Sequence, residues 1–252
     1  MSDLDRNYAA AARGYVDRAA IDAGLRAHMI RVYNYMAIGV ALTGLVAWFT
    51  FQAAVVTNAA GNITGYTPFG QVMLQSPMVW VLMLAPLALV FFISFRIERL
   101  SAGTARLLFF VYAAMMGLSL STIFVVFTAT SITRVFFISA ASFGALSLYG
   151  YTTQRDLSAF GSFLMMGLIG IIIASLVNIF LASSVLEFVI SVVGVLVFAG
   201  LTAWDTQKIK EMYSPMDDGS VTGRKAVMGA LSLYLDFINL FMMLLRLFGD
   251  RR

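Results

Sequence analysis

The chain has 252 residues, of which 60% are hydrophobic and only 12% are charged, and its mean hydropathy is +0.87. A soluble domain carries about 25% charged residues, so this composition argues against a water-soluble globular protein. The net charge of +4 is modest and suits anionic lipid headgroups better than nucleic acid. The sequence has neither a glycine-rich phosphate loop nor a basic–aromatic patch for binding nucleotides or nucleic acid.

The chain contains no cysteine and a single histidine, His28. Disulfides, thiolate catalysis and cysteine-bound metals are therefore excluded, and a His-based zinc site is disfavoured. We predict that the protein is not an enzyme and holds no tightly bound cofactor. No cleavable signal peptide is expected, because no short apolar segment with a small-residue cleavage site follows the N-terminal acids and arginines.

Seven apolar runs follow one another, and each is close to the ~20 residues that a membrane helix needs. They predict an all-α polytopic membrane protein with about seven transmembrane helices, at residues 31–54, 77–97, 104–127, 132–152, 160–182, 186–207 and 227–248. Glycine and proline predict loops in the two longer connections, 55–76 and 208–226. An S-x-x-E capping box at Ser184 and Glu187 is predicted to begin the sixth helix.

The first 30 residues differ from the rest, because polar side chains dominate with apolar positions interspersed. Residues 1–30 are predicted to form a polar cytoplasmic segment, either a helix on the membrane surface or a solvated leader. Residues 31–252 are predicted to form a single seven-helix transmembrane domain.

Basic residues predict the orientation of this domain. Thirteen lysines and arginines fall on the side of the N-terminus, whereas the opposite loops hold only Arg134. The positive-inside rule then places the N-terminus in the cytoplasm. Arg246, Arg251 and Arg252 would lie outside if the last helix crosses the membrane, and a helix that dips in and returns is the alternative. A full crossing is favoured because residues 227–248 are long enough.

Two acidic residues lie inside apolar runs, Asp205 in the sixth and Asp236 in the seventh. A charged side chain at the bilayer centre costs at least ~2.5–3.5 kcal/mol. Asp205 lies ~10 Å and Asp236 ~15 Å from the same membrane side at 1.5 Å per residue, so the two carboxyl groups can meet if the helices are neighbours. Two carboxyl groups at hydrogen-bond distance share a proton and titrate as a pair.

Polar residues accompany Asp236 along one stripe of the seventh helix, at the 100° spacing of an α-helix. The stripe is predicted to face protein or water rather than lipid. A purely structural polar network without a transport function remains the alternative at this point. The stripe contains Ser232, Asp236, Asn239 and Arg246.

Two segments, "TAWDTQKIK" at 202–210 and "ALSLYLDFINLFMMLLRLFG" at 230–249, resemble the signatures of the Bax inhibitor-1 family. The resemblance runs from about Arg26 to Gly249 and is most specific in the last two helices. It implies a central C-terminal helix wrapped by the other six, in a protein of the bacterial inner membrane. It also implies a pH-sensitive calcium leak.

The resemblance assigns roles to individual residues. It implies that Asp205 and Asp236 form a hydrogen-bonded pH sensor and that Arg96, or by a shift of register Arg99, acts as a latch for the pair. Some family members carry a glutamate in the second helix, where this chain has none. Ca²⁺ takes ~6–8 oxygen ligands. The two aspartates, with Asn239, backbone and water, are therefore expected to offer only a weak transient Ca²⁺ site along an ion path that also includes Ser232.

Three other functions make their own demands on the sequence. An intramembrane aspartyl protease also needs two buried aspartates, but the YD and GxGD contexts of presenilin-like enzymes are absent around Asp205 and Asp236. A retinal-binding receptor is disfavoured because no lysine lies deep in the seventh run. A non-conducting regulator that binds other membrane proteins stays open, since some bacterial relatives are implicated in modulating a membrane-anchored AAA protease. The expected partners are thus the lipid bilayer, calcium ions and other membrane proteins, without nucleic acid.

Overall fold

The computed structural model describes residues 3–58, 63–74 and 76–252, with side chains from residue 23 onward. Within these ranges, seven helices are long and apolar enough to cross a membrane, which confirms the predicted all-α polytopic fold. The helices are α1 Asp3–Ala54, α2 Pro68–Leu74, α3 Met78–Arg96, α4 Ala102–Leu120, α5 Ile123–Val126, α6 Ala129–Thr152, α7 Ser158–Leu181, α8 Ser184–Glu211 and α9 Gly219–Phe248.

The first helix is continuous across the predicted boundary at residues 30 and 31. Its apolar part is Ala23–Ala54, and 32 residues at 1.5 Å each reach ~48 Å, more than the ~30 Å hydrocarbon core of a bilayer. The helix therefore projects beyond the membrane. The surroundings of side chains 1–22 in the predicted N-terminal segment lie outside the described residues.

A short hairpin replaces part of the loop predicted at 55–76. Strands β1 Val55–Thr57 and β2 Ile63–Tyr66 pair antiparallel, with Val55 opposite Tyr66. The β-branched residues of these strands suit extended backbone, and Gly65 lies inside β2 opposite Val56 rather than in a turn. Helix α2 then packs on the end of α1 through Gly70, where any Cβ would overlap the Ala54 carbonyl.

Side chains cap several helices and fix where they begin. Ser101, Thr128 and Asp218 accept hydrogen bonds from the first turns of α4, α6 and α9. The predicted capping box at Ser184 and Glu187 is wrong by one residue, because the N-cap of α8 is Ser183, whose hydroxyl accepts from the Leu186 N–H. A cap of this kind contributes about 1 kcal/mol.

Helix α9 is the centre of the bundle. Of its most apolar stretch 72% is buried, against at most 39% in any other spanning helix of the described chain. It contacts α1, α4, α6 and α8, and its buried residues between Ala226 and Leu245 lie on several faces of the helix rather than on one. The predicted central position of the C-terminal helix is confirmed.

The two ends of the bundle differ in their connections. At one end, here called the basic end, lie the connections 97–101, 153–157 and 212–218. They are tied together by bonds such as that from the Arg224 guanidinium to the Leu100 carbonyl and that from the Gln207 amide to the Arg155 carbonyl. The last four residues lie at the opposite end, so α9 runs the full length of the bundle.

The C-terminal tail explains how basic residues are held at that opposite end. Arg251 pairs with Glu187, and Asp250 pairs with Arg134. These ion pairs are largely exposed, so each contributes only about 0–1 kcal/mol. Backbone bonds add order, since the Asp250 carbonyl accepts from the Thr128 N–H at 3.1 Å. The tail is thus fastened to the beginning of α6 despite its charge.

Candidate functional site

Helices α8 and α9 run antiparallel and pack closely near the basic end. Gly229 of α9 lies against Ile209 of α8, where a Cβ would sit 3.0 Å from the isoleucine side chain. This contact is about one turn from Asp205 and two turns from Asp236. The close approach of the two backbones brings the acidic side chains of both helices into one layer.

The carboxyl groups of Asp205 and Asp236 lie close enough for a hydrogen bond between them. Asp236 is only 5% exposed, and no N–H or O–H group of the described residues donates to its Oδ2. Asp205 is half-buried. A carboxylate only accepts hydrogen bonds, so this bond requires a proton on one of the two groups. A proton shared between the two groups would offset the cost of placing two acids inside the bundle.

The other predicted residues of the stripe lie on the same helix as Asp236 and form no bond to the pair in the described structure. Asn239 is half-buried and donates from Nδ2 to the Leu235 carbonyl at 2.8 Å. Ser232 is half-buried one turn before Asp236, and Arg246 is exposed further along the helix. The amide oxygen of Asn239 accepts no hydrogen bond among the described residues.

The two candidate latch residues lie at the basic end rather than beside the carboxyl pair. Arg96 ends α3 and Arg99 lies in the following 3₁₀ turn, Ile97–Arg99; both are exposed and form no ion pair among the described residues. The positive charge that acts on Asp205 belongs to Lys208, one turn away on α8. Lys208 also lies over the Trp204 ring, 4.9 Å from its centroid.

A chain of hydroxyl groups, which the sequence analysis did not predict, reaches α8 beside the carboxyl pair. The Thr206 hydroxyl donates to the Thr202 carbonyl, so it can only accept from Ser147 at 2.9 Å. Ser147 in turn accepts from the Tyr33 hydroxyl at 2.7 Å, since each hydroxyl has one proton to give. The signal in the sequence is the four-residue spacing of Thr202 and Thr206 around Asp205, which puts both threonines on one helix face.

His28 lies buried near the basic end, 2% exposed, and neither ring nitrogen has a partner among the described residues. No serine hydroxyl reaches the ring there, so a Ser–His dyad is not formed. Its neighbours are the Tyr213 ring at 5.7 Å, Arg31, and the ion pair of Lys225 with Asp217. Histidine is the side chain most often used to sense physiological pH, which makes His28 the natural control in any test of pH dependence.

The described residues contain no cluster of three or more histidine, cysteine or acidic side chains that could hold a metal ion. A tight metal centre is therefore not built from such side chains in this part of the chain. The carboxyl pair alone supplies up to four oxygens, which is fewer than the ~6–8 that Ca²⁺ takes.

This architecture defines a polytopic helical membrane protein with a carboxyl pair at its centre. Residues 25–252 match the protein family described as "Inhibitor of apoptosis-promoting Bax1". The chain belongs to the Bax inhibitor-1 family.

Bacterial relatives match nearly the whole chain. Inner membrane protein YbhL of Escherichia coli (strain K12) is 48% identical over 234 residues, which cover 91% of this chain and 94% of that protein. Protein RP147 of Rickettsia prowazekii is 49% identical over 233 residues, with 92% of each chain covered. A Caulobacter vibrioides protein is 42% identical over 255 residues, with both chains covered completely. The resemblance seen in the last two helices therefore extends through all seven spans.

Proposed function

We propose that this protein is a pH-sensitive calcium leak channel gated by the carboxyl pair of Asp205 and Asp236. The hydrogen bond between the two carboxyl groups carries the proposal, because it persists only while the pair holds a proton. Loss of that proton leaves two negative charges in contact inside the bundle. Their repulsion favours separation of α8 from α9, or entry of a cation between the carboxylates.

Calcium is the proposed cargo, and a weak site suits a leak better than a tight one. Two carboxylates supply charge and oxygen atoms, and the free amide oxygen of Asn239 and the Ser232 hydroxyl lie within about a turn of Asp236 along α9. Backbone carbonyls and water must supply the remaining ligands. Such an incomplete site binds Ca²⁺ briefly and then releases it, as conduction requires.

Arg96 is proposed to act as a latch in a second conformation. Helix α3, which ends with Arg96, has only 11% of its most apolar stretch buried. It packs mainly on α4 and α2, so it can shift without disturbing the contact between α8 and α9. In the latched conformation the guanidinium would replace the shared proton as the partner of the carboxylates.

We propose the bacterial inner membrane as the location, by analogy with the name of the Escherichia coli relative. The basic end is proposed to face the cytoplasm, because thirteen lysines and arginines lie in or near the segments on that side. The tail of residues 249–252 is then on the opposite side.

Reporter fusions test this orientation. Fusions after Arg26 and within residues 215–223 are expected to report a cytoplasmic location, and a fusion after Arg252 the periplasm, because α9 runs the length of the bundle. The same reporter in the 55–76 connection should also give a periplasmic signal and serves as the internal control. A periplasmic signal from 215–223 would show that the orientation is reversed.

Calcium flux into vesicles that contain only the purified chain tests the channel itself. We expect Ca²⁺ entry above that of protein-free vesicles and a rate that changes between about pH 6 and 8, the physiological interval. Adding a Ca²⁺ ionophore to the same vesicles gives the upper limit of the rate of Ca²⁺ entry. If the purified chain gives no flux at any pH, a non-conducting regulator of other membrane proteins, such as a membrane-anchored AAA protease, replaces the channel.

A further inference from the structure

A cavity of about 550 Å³ lies between α1 and α6 near the basic end. Its walls are two facing stripes, residues 26, 30 and 33 of α1 and residues 144, 148 and 151 of α6, each at the spacing of one helix face. Ile30 is 49% and Leu148 63% exposed, so the cavity opens sideways toward the position of the lipid. Its volume is within the range of ~300–1,000 Å³ typical of ligand sites.

The walls of the cavity are apolar along most of their length. Phe143, one of the lining residues, is buried, and a Cβ added to Gly144 would meet nothing within 4 Å. Gly144 therefore widens a groove that a larger side chain could fill. At the floor, the Tyr33 hydroxyl is bound to Ser147, so the polar atoms there are satisfied and leave an apolar slot.

Positive charge is concentrated at the mouth of the cavity. Arg26 lines it and forms no ion pair among the described residues, and no described residue of the lining is acidic. Lys210 binds the carbonyl of Tyr151, another lining residue, at 3.0 Å. The slot is thus apolar at depth and cationic at the end where lipid headgroups lie, which is the polarity of an anionic phospholipid.

We propose that this cavity binds one anionic phospholipid of the leaflet at the basic end, with an acyl chain between α1 and α6 and the phosphate at Arg26. Arginine suits a phosphate because its guanidinium forms paired, charge-assisted hydrogen bonds. The floor of the cavity continues through Ser147 to Thr206, the residue after Asp205. A bound lipid would therefore hold α1 and α6 against the helix that carries half of the carboxyl pair.

The binding itself is tested without reference to calcium. The purified full chain is titrated with dioleoylphosphatidylglycerol or dioleoylphosphatidylcholine, and bound lipid is counted by native mass spectrometry. The rise in thermal stability with added lipid is measured in parallel. We expect one phosphatidylglycerol to be retained at least ten times more tightly than phosphatidylcholine.

Two glycines provide a matched pair of variants. Gly144→Leu fills the slot, whereas Gly170→Leu adds the same side chain on α7, where a Cβ also meets nothing within 4 Å. Gly144→Leu is expected to lose the tightly held phosphatidylglycerol and its stabilisation, and Gly170→Leu to behave as the parent chain. Arg26→Gln leaves the slot intact and should reduce the preference for phosphatidylglycerol severalfold.

Several outcomes would overturn the proposal. Equal retention of both lipids would show that the mouth does not recognise an anion. Unchanged binding in both Gly144→Leu and Arg26→Gln would show that the lipid lies elsewhere, and a polypeptide held in the slot in place of lipid would identify a protein-binding groove. Since calcium flux is not measured, failure of the lipid site would leave the channel proposal standing, and the reverse also holds.

Discussion

Asp236→Asn is expected to remove most of the pH dependence of Ca²⁺ flux between about pH 6 and 8. Asparagine keeps the shape of the side chain and can still hydrogen-bond to Asp205, but it has no proton to lose. The remaining carboxyl group no longer shares a proton with a second acid. Flux in purified vesicles, measured across this interval, checks the expectation directly.

The partner residue supplies the test of pairing. Asp205→Asn should flatten the same profile, and the double variant should add little to either single one. Residues that act as one unit show interaction energies of about 0.5–3 kcal/mol rather than additive effects. Two independent sensors would instead give a double variant whose profile differs from both singles by the sum of their changes.

Of two other titrating groups, His28 provides a control variant and Asp156 is excluded as the sensor by its constant charge. His28→Phe removes the only imidazole together with its two unpartnered nitrogens, and it should leave the pH profile in place. The Ser158 hydroxyl and N–H, which donate to the Asp156 carboxylate, hold the pKa of Asp156 below its usual range. A lowered carboxyl pKa leaves Asp156 ionised throughout the tested interval, so it cannot produce the change.

The His28→Phe variant can also contradict the proposal. A profile that survives in both aspartate variants and vanishes in His28→Phe would identify the histidine as the sensor. The carboxyl pair would then be a structural hydrogen bond. Arg96→Ala, in contrast, is expected to shift the profile along the pH axis without flattening it, because it removes the proposed latch and leaves the proton site.

The sequence predicted the features of the structure that the lipid bilayer determines. Spans of ~20 apolar residues follow from the thickness of the bilayer, and two buried acids without lipid partners must find protein. The similar depths of Asp205 and Asp236 in the membrane therefore predicted that the two residues meet, on the condition that α8 and α9 are neighbours.

The parts that the sequence did not predict depend on neighbours far along the chain. Ser147 contacts Thr206, and Arg251 contacts Glu187, only because α6, α8 and the tail are packed together. The hairpin of β1 and β2 was not predicted, because glycine and proline in the 55–76 connection indicate a loop. Local signals mark the ends of segments well, but they say little about which segments pair.

The contact between α6 and α8 yields the second large effect. Gly150 of α6 lies against the backbone of Ala203 in α8, and an added Cβ would overlap the Ala203 carbonyl. A main-chain atom cannot turn aside as a side chain can, so Gly150→Ala must push the two helices apart. Overpacking of this kind costs about 1–3 kcal/mol, and it acts two residues from Asp205.

Gly170→Ala is the matched control for Gly150→Ala, because it makes the same substitution inside a helix, on α7, where a Cβ meets nothing within 4 Å. Both variants gain the helix propensity of alanine, worth up to about 1 kcal/mol, so the difference between them isolates the clash. We expect Gly150→Ala to unfold several degrees below Gly170→Ala, since each kcal/mol shifts the unfolding temperature by about 2–4 °C at this size. Its pH profile should also broaden as α8 shifts. Equal unfolding temperatures would mean that the two helices are not in backbone contact at Gly150.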